Sequence, residues 1–400
     1  MNKITVAGAG TGAFLHLTPE VKKALEDAEI IIASSRFLNL LPDDKNFIDL
    51  KNFMAFCKDK TPPPPLNNEK NILILVSGDS GLYSLLPLVK KHFNNIKVLP
   101  GLSSLQVLCA YACETWNDAK ILSGHGRELN SGEFLNIVER NEKVILFCDK
   151  KISPKWACEK LKDFSNLEIF IGSNLGNENE IFLRGSPKDF YKKIFPELSI
   201  ILIKNHEIYK HEKNILRDKD FLREKNIVMT NENVRAVILS KLELNNNSLL
   251  WDIGAGSGSI SVSAAYENLS MEIHAVEKNP EAANLISRNA AKFHLHNINI
   301  HEGKAGEIIK NLPVPSHVFI GGSGGELKNI FDFITKLENK IKIVIACVTL
   351  ENFNQAYEVM KNLKNFEYVQ ISVTSSKPLN ENLTLMKAQN PVMILSVLTI

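Results

Sequence analysis

Three glycines at alternate positions, Gly254, Gly256 and Gly258 in "WDIGAGSGS", follow the apolar run of residues 249–253. Glycine lacks a Cβ, so a chain can turn tightly there and a ligand can approach bare backbone. A second strand-like run ends "IHAVEKNP", which places Glu277 about 20 residues further on. A carboxylate there can accept hydrogen bonds from both ribose hydroxyls of a nucleotide-like ligand. Glu277 serves a nicotinamide cofactor equally well, so alone it leaves the ligand open. The dinucleotide fingerprint GxGxxG needs its third small residue one position later, where Ser259 stands, and the spacing therefore disfavours it. A third cluster, Gly321, Gly322, Gly324 and Gly325 in "VFIGGSGGEL", follows the fourth strand of this half. A bare loop at the carboxyl edge of an open α/β sheet suits a large flat substrate laid over a cofactor.

The chain opens on another glycine turn, "VAGAGTGAF", which formally fits GxGxxA through Gly8, Gly10 and Ala13. Thr18 and Pro19 are an N-cap and first-turn pair, so the helix starts well after the glycines. The turn cannot then set a pyrophosphate on the helix dipole. Gly8, Gly10 and Gly12 read better as an exposed loop facing a substrate. "LVSGDSGLYSLL" and "VLPGLSSLQVLC" each run from strand to glycine to helix and offer free backbone groups around Gly78, Asp79, Ser103 and Ser104.

Short β-branched runs alternate with amphipathic helix-length segments through most of the 400 residues, which predicts α/β architecture in more than one domain. Strands are expected at 4–7, 30–33, 72–76, 97–99, 120–122, 144–147, 167–171 and 199–203, then at 249–253, 272–276, 298–301, 317–320, 341–346, 368–373 and 392–398. The charged, poorly periodic stretch 204–226 reads as a connector, with a boundary near residue 210, and "TPPPPLNN" as a stiff loop. A net charge of +2 gives no footprint for nucleic acid or an anionic membrane. No apolar run is long enough to span a bilayer, and no signal-peptide pattern opens the chain, so a soluble cytoplasmic protein is expected. The six cysteines are scattered and read as reduced thiols. His294, His296 and His301 carry no accompanying ligand pattern, so no metal site is expected.

GxGxG after an acidic strand end is the pattern of Rossmann-like S-adenosylmethionine-dependent methyltransferases. The order "GAGTG…LTPE", "ASSRFL", "SGDSGLY", "PGLSSLQ", "SGHGR" resembles the tetrapyrrole methylases, specifically those acting on carbon-5 of a precorrin. The later order "MTNENVRAVILSKL", "LWDIGAGSGS", "AVEKNPEA", "EGKAGE", "VFIGGSGGEL" is similar to their partners, which methylate carbon-15 and decarboxylate. Joined this way, the halves resemble the bifunctional decarboxylating precorrin methyltransferases of cobalamin biosynthesis.

The resemblance implies a tetrapyrrole-methylase (class III methyltransferase) fold of two α/β subdomains over 1–208. It implies a Rossmann-like class I methyltransferase over 209–400. It implies S-adenosyl-L-methionine bound in the second half by Thr230, Gly254, Ala255, Gly256, Ser257, Gly258, Glu277 and Ala305. In the first half it implies binding by Gly78, Asp79, Ser103 and Ser104, with the Gly8–Gly12 loop lining a substrate trough.

A precorrin carries many acetate and propionate carboxylates, so forked arginine donors are expected at Arg36, Arg127 and Arg235. The expected partner is this tetrapyrrole, with no nucleic acid or membrane, and self-association is implied by the resemblance. No residue stands out as the acid or base for decarboxylation. Thr11 and Ser80 replace prolines usual in the first family; Lys304 and Gly306 replace an acid and a proline usual in the second. The alternatives are a fused RNA methyltransferase, an NAD-dependent oxidoreductase and a non-catalytic scaffold.

Overall fold

The computed structural model describes residues 3–42, 44–59, 71–125, 129–210, 215–380 and 383–399. Arg127 and the segment 61–68 lie outside these residues. The described residues form two units, one of residues 1–128 and 141–208, the other of residues 129–140 and 209–400.

In the first unit, β1 (Lys3–Gly8), β2 (Ile30–Ala33), β3 (Asn46–Asp49), β4 (Asn71–Val76) and β5 (Ile96–Leu99) make a parallel sheet of order β3-β2-β4-β1-β5. Its inner strands are buried on both faces, and β2 is accordingly one unbroken apolar run, Ile-Ile-Ile-Ala. Thr18 accepts from the Val21 amide at 3.3 Å and starts the helix Pro19–Asp27, well after the glycines as the cap residues predict. The second sheet of this unit has order β6-β7-β10-β8-β9, from β6 (Lys120–Ser123), β7 (Lys143–Phe147), β8 (Leu167–Ser173), β9 (Ile181–Gly185) and β10 (Ser199–Asn205). Only its β6–β7 pair is parallel.

The second unit holds β11 (Leu249–Ile253), β12 (Glu272–Glu277), β13 (Ile298–Glu302), β14 (His317–Ile320), β15 (Lys342–Cys347) and β16 (Glu367–Ile371). A ribbon of β17 (Thr374–Pro378) and β18 (Thr384–Ala388) precedes β19 (Val392–Leu398). The sheet order is β13-β12-β11-β14-β15-β19-β16, with β19 antiparallel to both neighbours. Successive strands run outward from β11 to β13, then restart on its other side at β14. That reversal opens a crevice at the carboxyl ends of β11 and β14. Below it the core is apolar: Trp251, Ile253, Val318 and Ile343 are fully buried, and the Trp251 indole N–H donates to the Pro313 carbonyl at 3.1 Å.

Two features depart from the sequence reading. Strands β3, β9, β17 and β18 were not expected; none is fully buried, and β17 and β18 are exposed throughout, so no apolar alternation marks them. Residues 129–140, placed by sequence within 1–208, belong to the second unit. The helix Ser131–Arg140 packs there so closely that a Cβ on Gly132 would collide with the His296 carbonyl. Asn136 donates to the Leu269 carbonyl at 3.0 Å and to Asn297 at 3.1 Å. Arg140 donates to the Phe293 and His294 carbonyls at 3.3 and 2.8 Å, closing the end of the helix Pro280–Lys292.

Candidate active site

In the second unit the carboxyl ends of β11, β12, β13 and β14 surround a cavity of about 820 Å³, within the roughly 300–1,000 Å³ of small-molecule sites. Of the sequence-predicted residues, Thr230, Gly254, Ala255, Gly256, Glu277, Ala305, Gly321, Gly322 and Gly324 line it. The glycines are needed chiefly because protein backbone crowds them. Gly254 has φ +70°, and a Cβ on it would collide with the Gly322 carbonyl, so the first and third glycine clusters are pressed together. Gly256, φ +56°, lies against the Val228 carbonyl. Gly322 itself faces open space.

Glu277 is buried, yet only part of its capacity is used. Its Oε2 accepts from the Gly256 amide at 2.8 Å and its Oε1 from the Asn279 amide at 2.9 Å. An ionised carboxylate accepts about four hydrogen bonds, so about two positions are left for a diol. Beneath it Asp252 is fully buried, and burial pushes its carboxyl up to about 6 against two hydrogen bonds from Ser261. Its Oδ1 has no partner among the described residues.

Several expected contacts fall elsewhere. Ser257 and Gly258 turn into the core: the Ser257 amide donates to the Val228 carbonyl at 3.2 Å, and Gly258 packs on Ile286. Gly325 does not line the cavity. Arg235 is 2% exposed and cannot reach a substrate carboxylate. Its guanidinium donates to Asp218 at 3.0 Å, to the Thr230 carbonyl at 2.7 Å and to the Leu216 carbonyl at 3.0 Å, and lies over the Phe221 ring. It therefore positions Thr230 rather than a ligand. The cavity cations are Lys278 and Lys304 instead, joined by the carboxylate of Glu326 and the side chains of Gln389 and Asn390. None of these five is marked by its own sequence pattern; only the glycine motifs around Lys304 and Glu326, and the place of Lys278 directly after Glu277, put three of them near the site.

The histidines pair with carboxylates. Glu139 accepts from His294 at 3.0 Å and from His296 at 2.8 Å. Burial pushes the Glu139 carboxyl up, but these bonds outweigh it and leave the group below its ordinary value. His301 meets His274 at 2.9 Å, and His274 meets Glu272 at 3.0 Å. Among the described residues no group of three or more His, Cys, Asp or Glu is arranged to hold a metal ion.

In the first unit three glycine turns converge at the carboxyl ends of the neighbouring strands β4, β1 and β5. Gly10 and Gly78 exchange backbone hydrogen bonds of 3.2 and 2.8 Å, and Gly8 touches both Gly78 and Gly101 with no room for a Cβ. Asp79 accepts from the Gly81 amide at 2.8 Å and the Gly101 amide at 3.1 Å, bracing two turns. The Ser103 hydroxyl caps the helix Ser104–Ala112. Gly78, Asp79, Ser103 and Ser104 are thus brought together. Gly12 abuts the Phe37 ring, over which the exposed Arg36 guanidinium lies at 4.4 Å, joining Arg36 to the Gly8–Gly12 loop. The departures are accommodated: Ser80 donates to the Leu99 carbonyl at 2.9 Å, and Thr11 bonds His16 at 2.7 Å.

Two family models match. The tetrapyrrole (corrin/porphyrin) methylase model covers residues 3–190 and the precorrin methyltransferase domain model residues 221–399. A cobalt-precorrin-6B C(15)-methyltransferase (decarboxylating) of Salmonella typhimurium is 36% identical over 45% of this chain and 94% of its own. A precorrin-6Y C(5,15)-methyltransferase [decarboxylating] of Sinorhizobium sp. is 26% identical over 87% of this chain and 85% of its own. A crystal structure of precorrin-6y C5,15-methyltransferase from Geobacter metallireducens GS-15 is 35% identical over 46% of this chain and 97% of its own, at a TM-score of 0.43. With a tetrapyrrole-methylase half joined to a precorrin-methyltransferase half, the chain belongs to the decarboxylating precorrin methyltransferases.

Proposed function

We propose that the chain methylates a precorrin or cobalt-precorrin at carbons 5 and 15 and decarboxylates a ring acetate side chain, which loses its carboxyl as carbon dioxide and stays on the ring as a methyl group, with S-adenosyl-L-methionine as donor for both transferred methyl groups. Residues 1–208 would serve carbon-5, and residues 209–400, with the helix Ser131–Arg140, carbon-15 and the decarboxylation. The observation that carries this reading is the second-unit cavity, where the half-satisfied Glu277 carboxylate faces the Gly254–Gly256 turn across from the open Gly322 loop.

The residues present fit an adenosyl cofactor. Glu277 retains acceptor positions for a ribose diol, and Gly322, which lines the cavity, leaves bare backbone facing it. Bound there, the cofactor would supply an electrophilic methyl group on a sulfonium. The protein's part is to hold acceptor carbon and methyl group in line about 3–3.5 Å apart and to keep water out. The Gly254–Gly322 contact fixes the crevice floor, and Arg235 fixes Thr230 at its side. Lys278 and Lys304 supply positive charge for substrate carboxylates in place of Arg235. In the first unit Gly78, Asp79, Ser103 and Ser104 would hold the second donor, and Arg36 with the Gly8–Gly12 loop would meet the macrocycle. Self-association belongs to this reading, and the exposed Leu379, Leu383, Leu385 and Met386 around the β17–β18 ribbon give it an apolar surface. Among the described residues no helix is long and apolar enough to cross a membrane.

Incubation with methyl-labelled donor and the reduced macrocycle tests the proposal. Two labelled methyl groups and one carbon dioxide per macrocycle are expected. Transfer to nucleic acid, or hydride transfer to NAD, would replace it with the corresponding alternative.

A further inference from the structure

The second-unit cavity contains one carboxylate with no assigned work. Glu326 lines it, half-buried, immediately before the helix Leu327–Thr335. Its side chain makes no capping bond to that helix, and no other hydrogen bond or cation within 4 Å engages it among the described residues. The carboxylate lies flat over Gly306: a Cβ there would stand 3.5 Å from Oε2 and 3.7 Å from Cδ and Oε1. Because Gly306 carries no Cβ, room is left between the carboxylate and the chain segment that follows β13, over which it stands.

That segment is one strand outward from the ribose carboxylate. Glu277 and Glu302 are register partners on β12 and β13, and the Gly303 amide donates to the Glu277 carbonyl at 3.0 Å. Gly303, Lys304 and Ala305 line the same cavity. An adenosyl ligand with its ribose on Glu277 and its sulfur end toward the Gly254–Gly256 turn must send its base the other way, over residues 303–306. A carboxylate accepts hydrogen bonds only, and the exocyclic amine of adenine offers two N–H donors. A 6-oxo purine would present an oxygen acceptor at that position, and two facing acceptors repel.

We infer that Glu326 accepts a hydrogen bond from the adenine 6-amino group and makes the second site selective for adenosyl over 6-oxopurine cofactors. The inference rests on the reading of this cavity as an adenosyl-cofactor site. Lys304, the cavity residue beside Ala305, has no acceptor of its own and cannot do this work.

Titration calorimetry on the full chain with S-adenosylhomocysteine and S-inosylhomocysteine tests it, the second site being defined as the binding abolished by Glu277→Ala. The wild type should prefer the adenosyl ligand there by about tenfold or more, as expected for one charge-assisted hydrogen bond. Glu326→Gln, which preserves shape, should erase most of that preference, because its amide can also donate to a 6-oxo group. Glu326→Ala should lose adenosyl affinity without gaining inosyl affinity, at an unchanged melting temperature. An adenosyl-to-inosyl ratio left at the wild-type value in both variants, with Glu277-dependent binding intact, would overturn the inference alone. Absence of any Glu277-dependent binding in the wild type would overturn the adenosyl reading beneath it.

Discussion

The Arg235 guanidinium holds Asp218 and the carbonyls of Thr230 and Leu216 at once, from a position 2% exposed. Its loss strands all three partners, so Arg235→Ala should cost about 3 kcal/mol of stability, read by chemical denaturation. If Arg235 gripped substrate instead, the variant would keep its stability and lose only affinity for the macrocycle. Asp252 gives a pH signature. Burial raises its carboxyl from 3.8 to about 6, so the folded chain holds this proton more tightly than the unfolded one. Its contribution to stability is whole below about pH 4 and is lost as pH rises through about 6, a span of about 3 kcal/mol. Asp252→Asn should flatten stability between those values; an unchanged slope would show that another group titrates there. Gly254→Ala would meet both a left-handed φ and the Gly322 carbonyl, and should loosen the Gly321–Gly325 loop and lower donor affinity. The glycines of this turn were legible in the sequence, though for a reason only partly right: what approaches most closely is the chain itself. Arg235 was misread because helical spacing does not reveal which face its neighbour at 218 covers.

At the level of elements, the buried strands and cap residues were plain in sequence. The strand runs carry apolar residues in lengths that only a covered sheet explains, and Thr18-Pro19 started its helix where predicted. The helix Ser131–Arg140 shows what local pattern omits. Glu139 reaches His294 across 155 positions, a separation no local motif spans, so the histidines looked unaccompanied. Folding lowers the Glu139 carboxyl, so its contribution is present above the ordinary carboxyl range and is lost as pH falls through its depressed value. Glu139→Ala should therefore destabilise the second unit by about 1–3 kcal/mol near neutrality and by progressively less in acid. Equal loss at all pH values would mean that packing, not charge, accounts for the effect. The exposed β17–β18 ribbon escaped the sequence reading because no buried face imposes alternation on it.

Across the whole molecule, two α/β units of different topology carry glycine-lined strand ends. One joins a parallel sheet, whose three central turns interlock through Gly8, Gly78 and Gly101, to a second, mostly antiparallel sheet; the other is built on a seven-stranded sheet with a single reversed strand. A reduced macrocycle methylated at two separate carbons must present different edges to its donors, a need that the two crevices would answer under the proposed function. The near-neutral charge suits a small anionic substrate rather than a polyanionic strand. The most direct measurement is the stoichiometry of S-adenosylhomocysteine bound by the full chain at equilibrium, in wild type and in Glu277→Ala. Two equivalents falling to one is the predicted result. A single equivalent in the wild type, or two that ignore the loss of Glu277, would contradict the account.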